Sequence, residues 1–310
     1  MVDAFITPIQ KLNFSVNNNV FYVKREDLYP FSFGGNKVRI AEKFFIDLKK
    51  KGKNCIIGYG GVSSNLNRAI ANMAAKKHIK CYIVCAITDE QTSINKTLTE
   101  LCDAEIIYCR KSDVAETIET TLKKCQDLGY DPYYINGNSL GMGNESVPVE
   151  AYMDVYDEIK NQSVSLSINY DYIFLPVGTG MTISGLIMGA NSHQDHVKVI
   201  GISIANNSLK VKEKVYNFIK SKDNSVDKIE INIDDSALCG GYGKSCLQEI
   251  ALIKKIFVEE GMPLDSIYSG KAFYGMVEYI NRNNIKGKNI LFVHTGGVPN
   301  FFDYMIGRNS

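Results

Sequence analysis

Phe174-Leu175-Pro176-Val177-Gly178-Thr179-Gly180-Met181-Thr182 is the stretch that decides the fold class of this chain. Its first four residues are apolar and typical of a buried strand, and its glycines predict a tight turn. The residues that follow predict a helix through Gly185 and Gly189. A strand, a glycine turn and a helix N-terminus form the repeating unit of a parallel sheet, so the stretch predicts an α/β fold.

The turn in this stretch also predicts a phosphate site. The backbone N–H groups of Gly178, Thr179, Gly180, Met181 and Thr182, together with the two threonine hydroxyls, can donate to a dianion at a helix N-terminus. The turn lacks the lysine of a P-loop, and no acidic residue about twenty positions further on completes a dinucleotide motif. We therefore expect one compact phosphate group, while tight packing is the other use of such a turn.

The same alternation runs along the whole chain. Apolar runs predict buried strands at residues 54–59, 81–86, 106–109, 133–136, 172–177, 197–204 and 290–294. Helical patterns predict helices at residues 38–50, 65–77, 97–102, 114–128, 149–160, 182–189 and 247–260. At about 150 residues per domain, the 310 residues predict two lobes, each a mainly parallel twisted sheet with helices on both faces.

The composition excludes several classes of partner. The 35 basic and 34 acidic residues leave a net charge of +1, so we expect no nucleic-acid partner. No apolar run approaches the roughly 20 residues that cross a bilayer, and the first ten residues lack a signal-peptide pattern, so we expect a cytoplasmic protein without a membrane partner. The eight cysteines form no CxxC pair and the four histidines are scattered, so no metal site is predicted.

A second motif, Gly34-Gly35-Asn36-Lys37, places a lysine at the predicted start of a helix. Glycines let the backbone approach a ligand closely, and a helix N-terminus disfavours a cation by about 0.3–1 kcal/mol. Lys37 is therefore biased toward its neutral amine, which can form an imine with an aldehyde. For this motif alone, a surface lysine after a turn is the simpler interpretation.

Two further motifs follow predicted strands. Gly60-Gly61-Val62-Ser63-Ser64-Asn65 offers hydroxyl and N–H groups that suit a carboxylate, and the Asn65 amide can donate to a phenolate. Capping of a helix by Ser63 or Ser64 explains the same residues equally well. In Leu291-Phe292-Val293-His294-Thr295-Gly296-Gly297, Thr295 can face a ring nitrogen, and His294 is expected to be a packed core residue.

A reactive lysine, a phosphate turn and an amide for a phenolate are together the groups that bind pyridoxal 5′-phosphate. The chain resembles the aminocyclopropane-carboxylate deaminase and D-cysteine desulfhydrase family, within the tryptophan-synthase-β-like class (fold type II). The matching motifs occur in family order over nearly the full length: Lys24-Arg25-Glu26-Asp27-Leu28, Gly34-Gly35-Asn36-Lys37 with Arg39, Gly60-Gly61 with Ser64-Asn65 and Arg68, Gly178-Thr179-Gly180 with Thr182, Tyr268 with Gly270-Lys271, and His294-Thr295-Gly296-Gly297-Val298-Pro299.

The resemblance implies a role for each site residue. Lys37 is expected to form the Schiff base, Asn65 to meet the cofactor phenolate, residues 178–182 to hold the phosphate and Ser64 to bind the substrate carboxylate. Tyr268, and Tyr242 in Gly240-Gly241-Tyr242-Gly243, are the expected active-site tyrosines. The resemblance also implies a large cofactor-binding domain of residues 1–38 and 147–310, a small domain of residues 39–146, and a homodimer.

Two positions favour one reaction over another. Members that open a cyclopropane ring resemble one another in having Tyr-Glu-Gly-Lys and His-Leu-Gly-Gly, whereas this chain has Tyr268-Ser269-Gly270-Lys271 and His294-Thr295-Gly296-Gly297, as desulfhydrase-like members do. We therefore expect a β-elimination lyase that converts D-cysteine to pyruvate, ammonia and sulfide, with an amino acid as its small-molecule substrate.

Four other interpretations of the function stay open. They are a 1-aminocyclopropane-1-carboxylate deaminase, a lyase for another β-substituted amino acid such as cysteate, a β-replacement synthase, and a cofactor-binding protein without turnover. Leu66 and Ile40 stand where relatives have polar or basic residues, so the substrate and its contacts can differ from those of the relatives.

Overall fold

The structure is a computed structural model that describes residues 5–87, 93–225 and 229–306. It divides the chain into two compact units. The larger unit comprises Met1–Asn36 and Val149–Ser310, and the smaller unit comprises Lys37–Pro148. Lys37 is thus the first residue of the smaller unit, directly after the last residue of the first segment of the larger one.

The smaller unit is built on a sheet of four parallel strands. The strands are β3 (Cys55–Tyr59), β4 (Lys80–Ala86), β5 (Glu105–Cys109) and β6 (Pro132–Tyr134), and they lie in the order β5-β4-β3-β6. Their residues are largely buried apolar side chains, as expected for parallel strands covered on both faces. The helices are α1 (Asn36–Lys50), α2 (Asn65–Lys76), α3 (Ile94–Glu100) and α4 (Val114–Asp127).

The larger unit is built on a sheet of six strands. These are β1 (Ile9–Lys11), β2 (Val20–Lys24), β7 (Tyr172–Val177), β8 (Lys198–Ser203), β9 (Asn232–Asp234) and β10 (Asn289–Val293), in the order β1-β2-β10-β7-β8-β9. Only β1 is antiparallel to its neighbour among these described strands. Because β10 and β7 are adjacent and parallel, the residues that follow them meet at one edge of the sheet.

Six helices belong to the larger unit as the structure describes it: α5 (Val147–Leu166), α6 (Met181–Ser192), α7 (Ser208–Lys222), α8 (Leu247–Glu260), α9 (Ser269–Arg282) and α10 (Val298–Ile306). The core combines apolar side chains of the strands, such as Phe174 and Phe292, with side chains of α9, such as Phe273 and Met276. Two glycines of α6 pack closely on α5, since a Cβ at Gly189 would lie 2.4 Å from the Cβ of Tyr156.

The predicted fold class is confirmed by the sheets of the two units. All seven predicted strands and all seven predicted helices are present, with ends that differ by a few residues. The prediction missed three strands (β1, β2, β9) and three helices (α7, α9, α10). None of the helices in the described ranges is long and apolar enough to cross a membrane.

Candidate active site

The predicted phosphate turn lies where β7 meets α6 in the larger unit. Gly180 is the N-cap of α6 with a φ of 102°, a conformation that favours glycine, and a Cβ there would meet Val215 at 3.0 Å. No described side chain caps the helix, so the N–H groups of its first turn are available to an anion. Thr179 is exposed at the tip of the turn. This geometry is that of an anion-binding helix N-terminus.

Asn36 connects to this turn. Its side-chain Nδ2 donates to Oγ1 of Thr182 at 2.8 Å, and both side chains are buried. Since the hydroxyl oxygen accepts this bond, the hydroxyl proton of Thr182 is left to donate elsewhere. Sequence analysis did not assign Asn36 a role.

The glycines before Asn36 are explained by close backbone packing in the larger unit. A Cβ at Gly35 would lie 2.8 Å from the carbonyl oxygen of Thr295, and one at Gly34 would lie 2.3 Å from that of Asp27. The backbone N–H of Asn36 donates to the same Thr295 oxygen at 3.0 Å. Three of the predicted motifs, around residues 27, 35 and 295, are thus neighbours in the folded chain.

Lys37 lies in the first turn of α1, where no acidic residue offsets its charge. Within the described residues its ammonium group has no hydrogen bond and no ion pair. Burial lowers the pKa of Lys37 from an ordinary 10.5 to about 8. At pH 7 about one chain in ten therefore carries the neutral, nucleophilic amine.

Ser64 is the N-cap of α2 in the smaller unit. Its Oγ accepts the backbone N–H of Asn67 at 3.2 Å, so the capping interpretation of this motif is correct. The hydroxyl proton is not used by this bond and can still donate to a ligand. A Cβ at Gly60 would lie 2.9 Å from this oxygen, which explains the glycine.

Asn65 follows Ser64 as the first residue of α2, and its side chain is partly exposed. Its carbonyl oxygen Oδ1 accepts from Nη1 of Arg68 at 3.2 Å and from Nδ2 of Asn95 at 3.1 Å. Its Nδ2 makes no hydrogen bond to another described residue.

The two predicted tyrosines are brought together. The hydroxyl oxygens of Tyr242 and Tyr268 lie 2.8 Å apart, and their rings meet edge to face. Tyr268 also approaches the phosphate turn, since its Cε1 would lie 3.9 Å from a Cβ at Gly178. Lys271 holds the loop that carries Tyr242, because its buried ammonium donates to the carbonyl oxygens of Leu238 and Gly241.

Ser269, one of the two positions that favour a desulfhydrase, is fully buried at the start of α9. Its hydroxyl donates to Oδ2 of Asp265 at 2.7 Å and accepts the backbone N–H of Asp265 at 2.9 Å. The Asp265 carboxylate also accepts the backbone N–H groups of residues 267, 268 and 269. Ser269 therefore completes a helix cap, and sequence analysis missed Asp265 as the centre of that cap.

Thr295 and His294 follow β10 in the expected way. His294 is fully buried, its Nε2 lies 2.8 Å from the carbonyl oxygen of Pro263, and its Nδ1 accepts from the N–H of Gly296. It is a packed core residue, as expected. Thr295 is 7 % exposed, and its hydroxyl has no hydrogen bond to the described residues.

Two cysteines that sequence analysis set aside are close together. The Sγ atoms of Cys239 and Cys246 lie 2.6 Å apart, beside the buried carboxylate of Glu249. Together the two thiols and this carboxylate offer three potential metal-ligand atoms within 4.8 Å of one another.

Comparison with known proteins places these residues in a family. The model of the family "Pyridoxal-phosphate dependent enzyme" matches residues 3–296. The chain belongs to this family. Pyridoxal phosphate is accordingly its cofactor, and the reading as a binding protein without turnover does not hold, because the family is one of enzymes.

Several relatives align with this pyridoxal-phosphate-dependent enzyme over nearly its full length. A protein named "Putative 1-aminocyclopropane-1-carboxylate deaminase" from Pyrococcus horikoshii is 31% identical over 307 residues, which are 96% of this chain and 91% of the relative. A D-cysteine desulfhydrase from Serratia proteamaculans is 27% identical over 311 residues, 96% of this chain and 93% of the relative. A crystal structure described as an ACC deaminase homologue has a TM-score of 0.85 at 28% identity, with 98% of this chain and 93% of that chain covered. The resemblance stated from the sequence is thus confirmed.

Each unit, taken by itself, carries groups that suit this cofactor chemically. An amine without a partner, with a pKa near 8, suits an aldehyde, and an uncapped helix N-terminus behind Gly180 suits a phosphate. Asn65 offers an unused amide N–H, and Thr295 an unused hydroxyl. These are chemically the four kinds of group that the aldehyde, phosphate, phenolate and ring nitrogen require.

Proposed function

We propose that this enzyme is a β-elimination lyase that converts D-cysteine and water to pyruvate, ammonia and hydrogen sulfide. The observation that carries the proposal is Thr295, which presents a buried neutral hydroxyl without a partner among the described residues. This neutral hydroxyl would donate to the ring nitrogen of the bound cofactor without protonating it, which would favour loss of a β-substituent.

The proposal assigns each group of the chain one task. Lys37 holds the cofactor aldehyde through Nζ, and this amine takes the α-proton once the substrate amine has replaced it. Residues 178–182 hold the phosphate, Asn65 donates to the phenolate and Thr295 to the ring nitrogen. The bound cofactor supplies the electron-accepting ring that stabilises negative charge at the α-carbon.

The substrate contacts follow from the hydroxyl groups. Ser64 donates its unused proton to the substrate carboxylate. The paired hydroxyls of Tyr242 and Tyr268 pass a proton to the departing hydrosulfide, which leaves as hydrogen sulfide. Two adjacent hydroxyls suit this task because the second can restore the proton that the first has given.

A second candidate is 1-aminocyclopropane-1-carboxylate deamination, which gives 2-oxobutanoate and ammonia. It is favoured by the 31% identical relative from Pyrococcus horikoshii, which carries that name. The paired tyrosine hydroxyls are equally suited to deliver a proton to a ring carbon. A lyase for another β-substituted amino acid such as cysteate has the same requirements.

A substrate panel tests the proposal. The purified holoenzyme is incubated with D-cysteine, L-cysteine, cysteate and 1-aminocyclopropane-1-carboxylate, and pyruvate, 2-oxobutanoate, ammonia and sulfide are measured. We expect sulfide and pyruvate in equal amounts from D-cysteine, and none above background from Lys37→Ala. The production of 2-oxobutanoate without sulfide would replace the proposal with the second candidate.

We also propose that the enzyme is a homodimer, on the basis of the family resemblance alone. Sedimentation velocity of the holoenzyme should give about twice the 34.6 kDa of one chain. A single species of one chain would contradict this assignment and leave the reaction unaffected.

A further inference from the structure

The environment of Asn65 fixes the orientation of its side-chain amide. The atom that faces Nη1 of Arg68 must be the oxygen, because a guanidinium has donors and no acceptor. The amide therefore cannot be flipped without placing two donors against each other. Its oxygen faces Arg68 and Asn95, and its nitrogen faces away from both.

Asn95 is in turn fixed by its own contacts. Its Oδ1 accepts from Nη1 of Arg68 at 3.1 Å, and its Nδ2 donates to the carbonyl oxygen of Ser63 at 2.9 Å as well as to Asn65. Each of these contacts agrees with only one orientation of the Asn95 amide. The network reaches from α3 to the first turn of α2, and Arg68 and Asn95 are 1% and 0% exposed.

We propose that Arg68 and Asn95 are positioning residues that hold the Asn65 amide with its Nδ2 toward the cofactor, so that it can only donate to the phenolate oxygen. The inference rests on the proposed role of Asn65. An amide held with its oxygen toward the phenolate would repel it, whereas an amide held with its nitrogen toward the phenolate donates a hydrogen bond. The orientation of the Asn65 amide therefore decides whether the contact attracts or repels the cofactor. A free asparagine at this position would have both orientations available and would lose entropy on binding.

Asn95→Asp gives the sharpest test, because the substitution is isosteric and replaces the Nδ2 donor by an acceptor, with a negative charge that the control variant below also introduces. A carboxylate at position 95 faces the Asn65 oxygen, and Asn65 is expected to rotate and donate its Nδ2 to Asp. We expect pyridoxal phosphate to bind about 10-fold to 100-fold more weakly, as for loss of a hydrogen bond to a charged group. The imine between Lys37 and the cofactor should also titrate at a higher pH, read from its visible absorption band.

The matched control is Asn72→Asp, which makes the same change on the same helix at a residue outside this network. Its cofactor affinity and absorption should equal those of the unchanged protein. Circular dichroism and thermal unfolding of each apo-protein establish that it is folded. Should Asn95→Asp fail to fold, Arg68→Lys keeps the cation but removes Nη1, the nitrogen that donates to both amide oxygens, and is expected to weaken cofactor binding in the same direction.

A double-variant cycle separates this proposal from a structural role. In an Asn65→Ala background, Asn95→Asp should cause no further loss of cofactor affinity, because the group it orients is gone. An equal loss in both backgrounds, or an unchanged absorption pH profile in Asn95→Asp, would overturn the proposal. Failure of the proposed function is distinguishable, because it appears in the product panel of the unchanged protein, whereas this test measures cofactor binding and absorption.

Discussion

At the scale of single residues, the ionisation of Lys37 decides how the enzyme takes up its cofactor. The pKa of about 8 means that the amine loses its proton mostly between pH 7 and pH 9. Only the neutral amine attacks an aldehyde, so the rate of cofactor uptake by the apo-protein should rise through this range and level off above it. An ordinary lysine would keep gaining rate until its pKa of about 10.4.

Stopped-flow absorbance of apo-protein mixed with pyridoxal phosphate at a series of pH values measures this profile. The reaction of pyridoxal phosphate with a blocked free lysine, under the same conditions, supplies the reference. A midpoint near that of the reference would show that burial does not lower the pKa of Lys37. The assignment of Lys37 as the nucleophile would then lose its physical basis.

Sequence reasoning predicted the local structure at three site residues correctly. Lys37, Ser64 and Thr179 lie at a helix start, a helix cap and a turn, which adjacent residues indicate. The contact of Asn95 could not be predicted, because it acts on Asn65, which lies 30 positions away and is brought close only by folding. Asp265 contacts residues only two to four positions further on, so its signal is local and sequence analysis overlooked it. The roles of the site residues themselves stay predictions until the experiments above are made.

At the scale of elements, the start of α9 depends on the hydroxyl of Ser269. Replacement by alanine removes one donor to the buried Asp265 carboxylate and the acceptor of the Asp265 N–H. We expect Ser269→Ala to lower the free energy of unfolding by about 1–3 kcal/mol, the cost of leaving buried polar groups unpaired. Urea unfolding of the apo-protein measures this difference.

Ser112→Ala is the control for this measurement. Ser112 also donates to a neighbouring aspartate, Asp113, at 2.6 Å, but this pair is exposed. Water replaces the lost bond there, so a change below about 0.5 kcal/mol is expected. Equal effects at the two positions would mean that the buried cap adds no stability beyond a surface contact.

Four of the six missed elements can be explained individually. Strands β1 and β9 have three residues each, too few for an alternating pattern to stand out. Helix α7 is rich in lysine, with only Val211, Val215 and Ile219 buried, so its apolar stripe is narrow. Helix α9 begins at the cap formed by Asp265 and Ser269, which sequence analysis did not recognise because it treated residues 268–271 only as a family motif.

At the scale of the whole molecule, cofactor binding should stabilise the folded chain, because the unfolded chain has no comparable site. At a free cofactor concentration one hundred times the dissociation constant, the gain is about 2.7 kcal/mol. Thermal unfolding with and without pyridoxal phosphate should therefore show a higher midpoint for the loaded protein. Lys37→Ala, which loses the covalent attachment, should show a much smaller rise at the same concentration.

The fold class was predictable from the sequence because the alternation of strands and helices repeats through both units. The order of strands within each sheet was not predictable from the sequence. In the larger unit, for example, β10 lies between β2 and β7 although it is the last strand in the chain. The predicted domain limits, residues 1–38 with 147–310 and residues 39–146, rest on the family resemblance and remain a proposal. The choice of substrate depends on a few side-chain contacts, which the periodic pattern of apolar residues does not predict.

Thr295 serves the chain through two chemically separate groups, a side-chain hydroxyl and a main-chain carbonyl that receives the Asn36 N–H. The peptide after Asn36 leads directly to Lys37, so that carbonyl anchors the backbone beside the nucleophile. The side chain at position 295 can therefore be replaced to test its role at the ring nitrogen without removing this main-chain contact, provided that the path of the main chain is preserved. An insertion next to this position, by contrast, would displace the lysine without altering a single catalytic side chain.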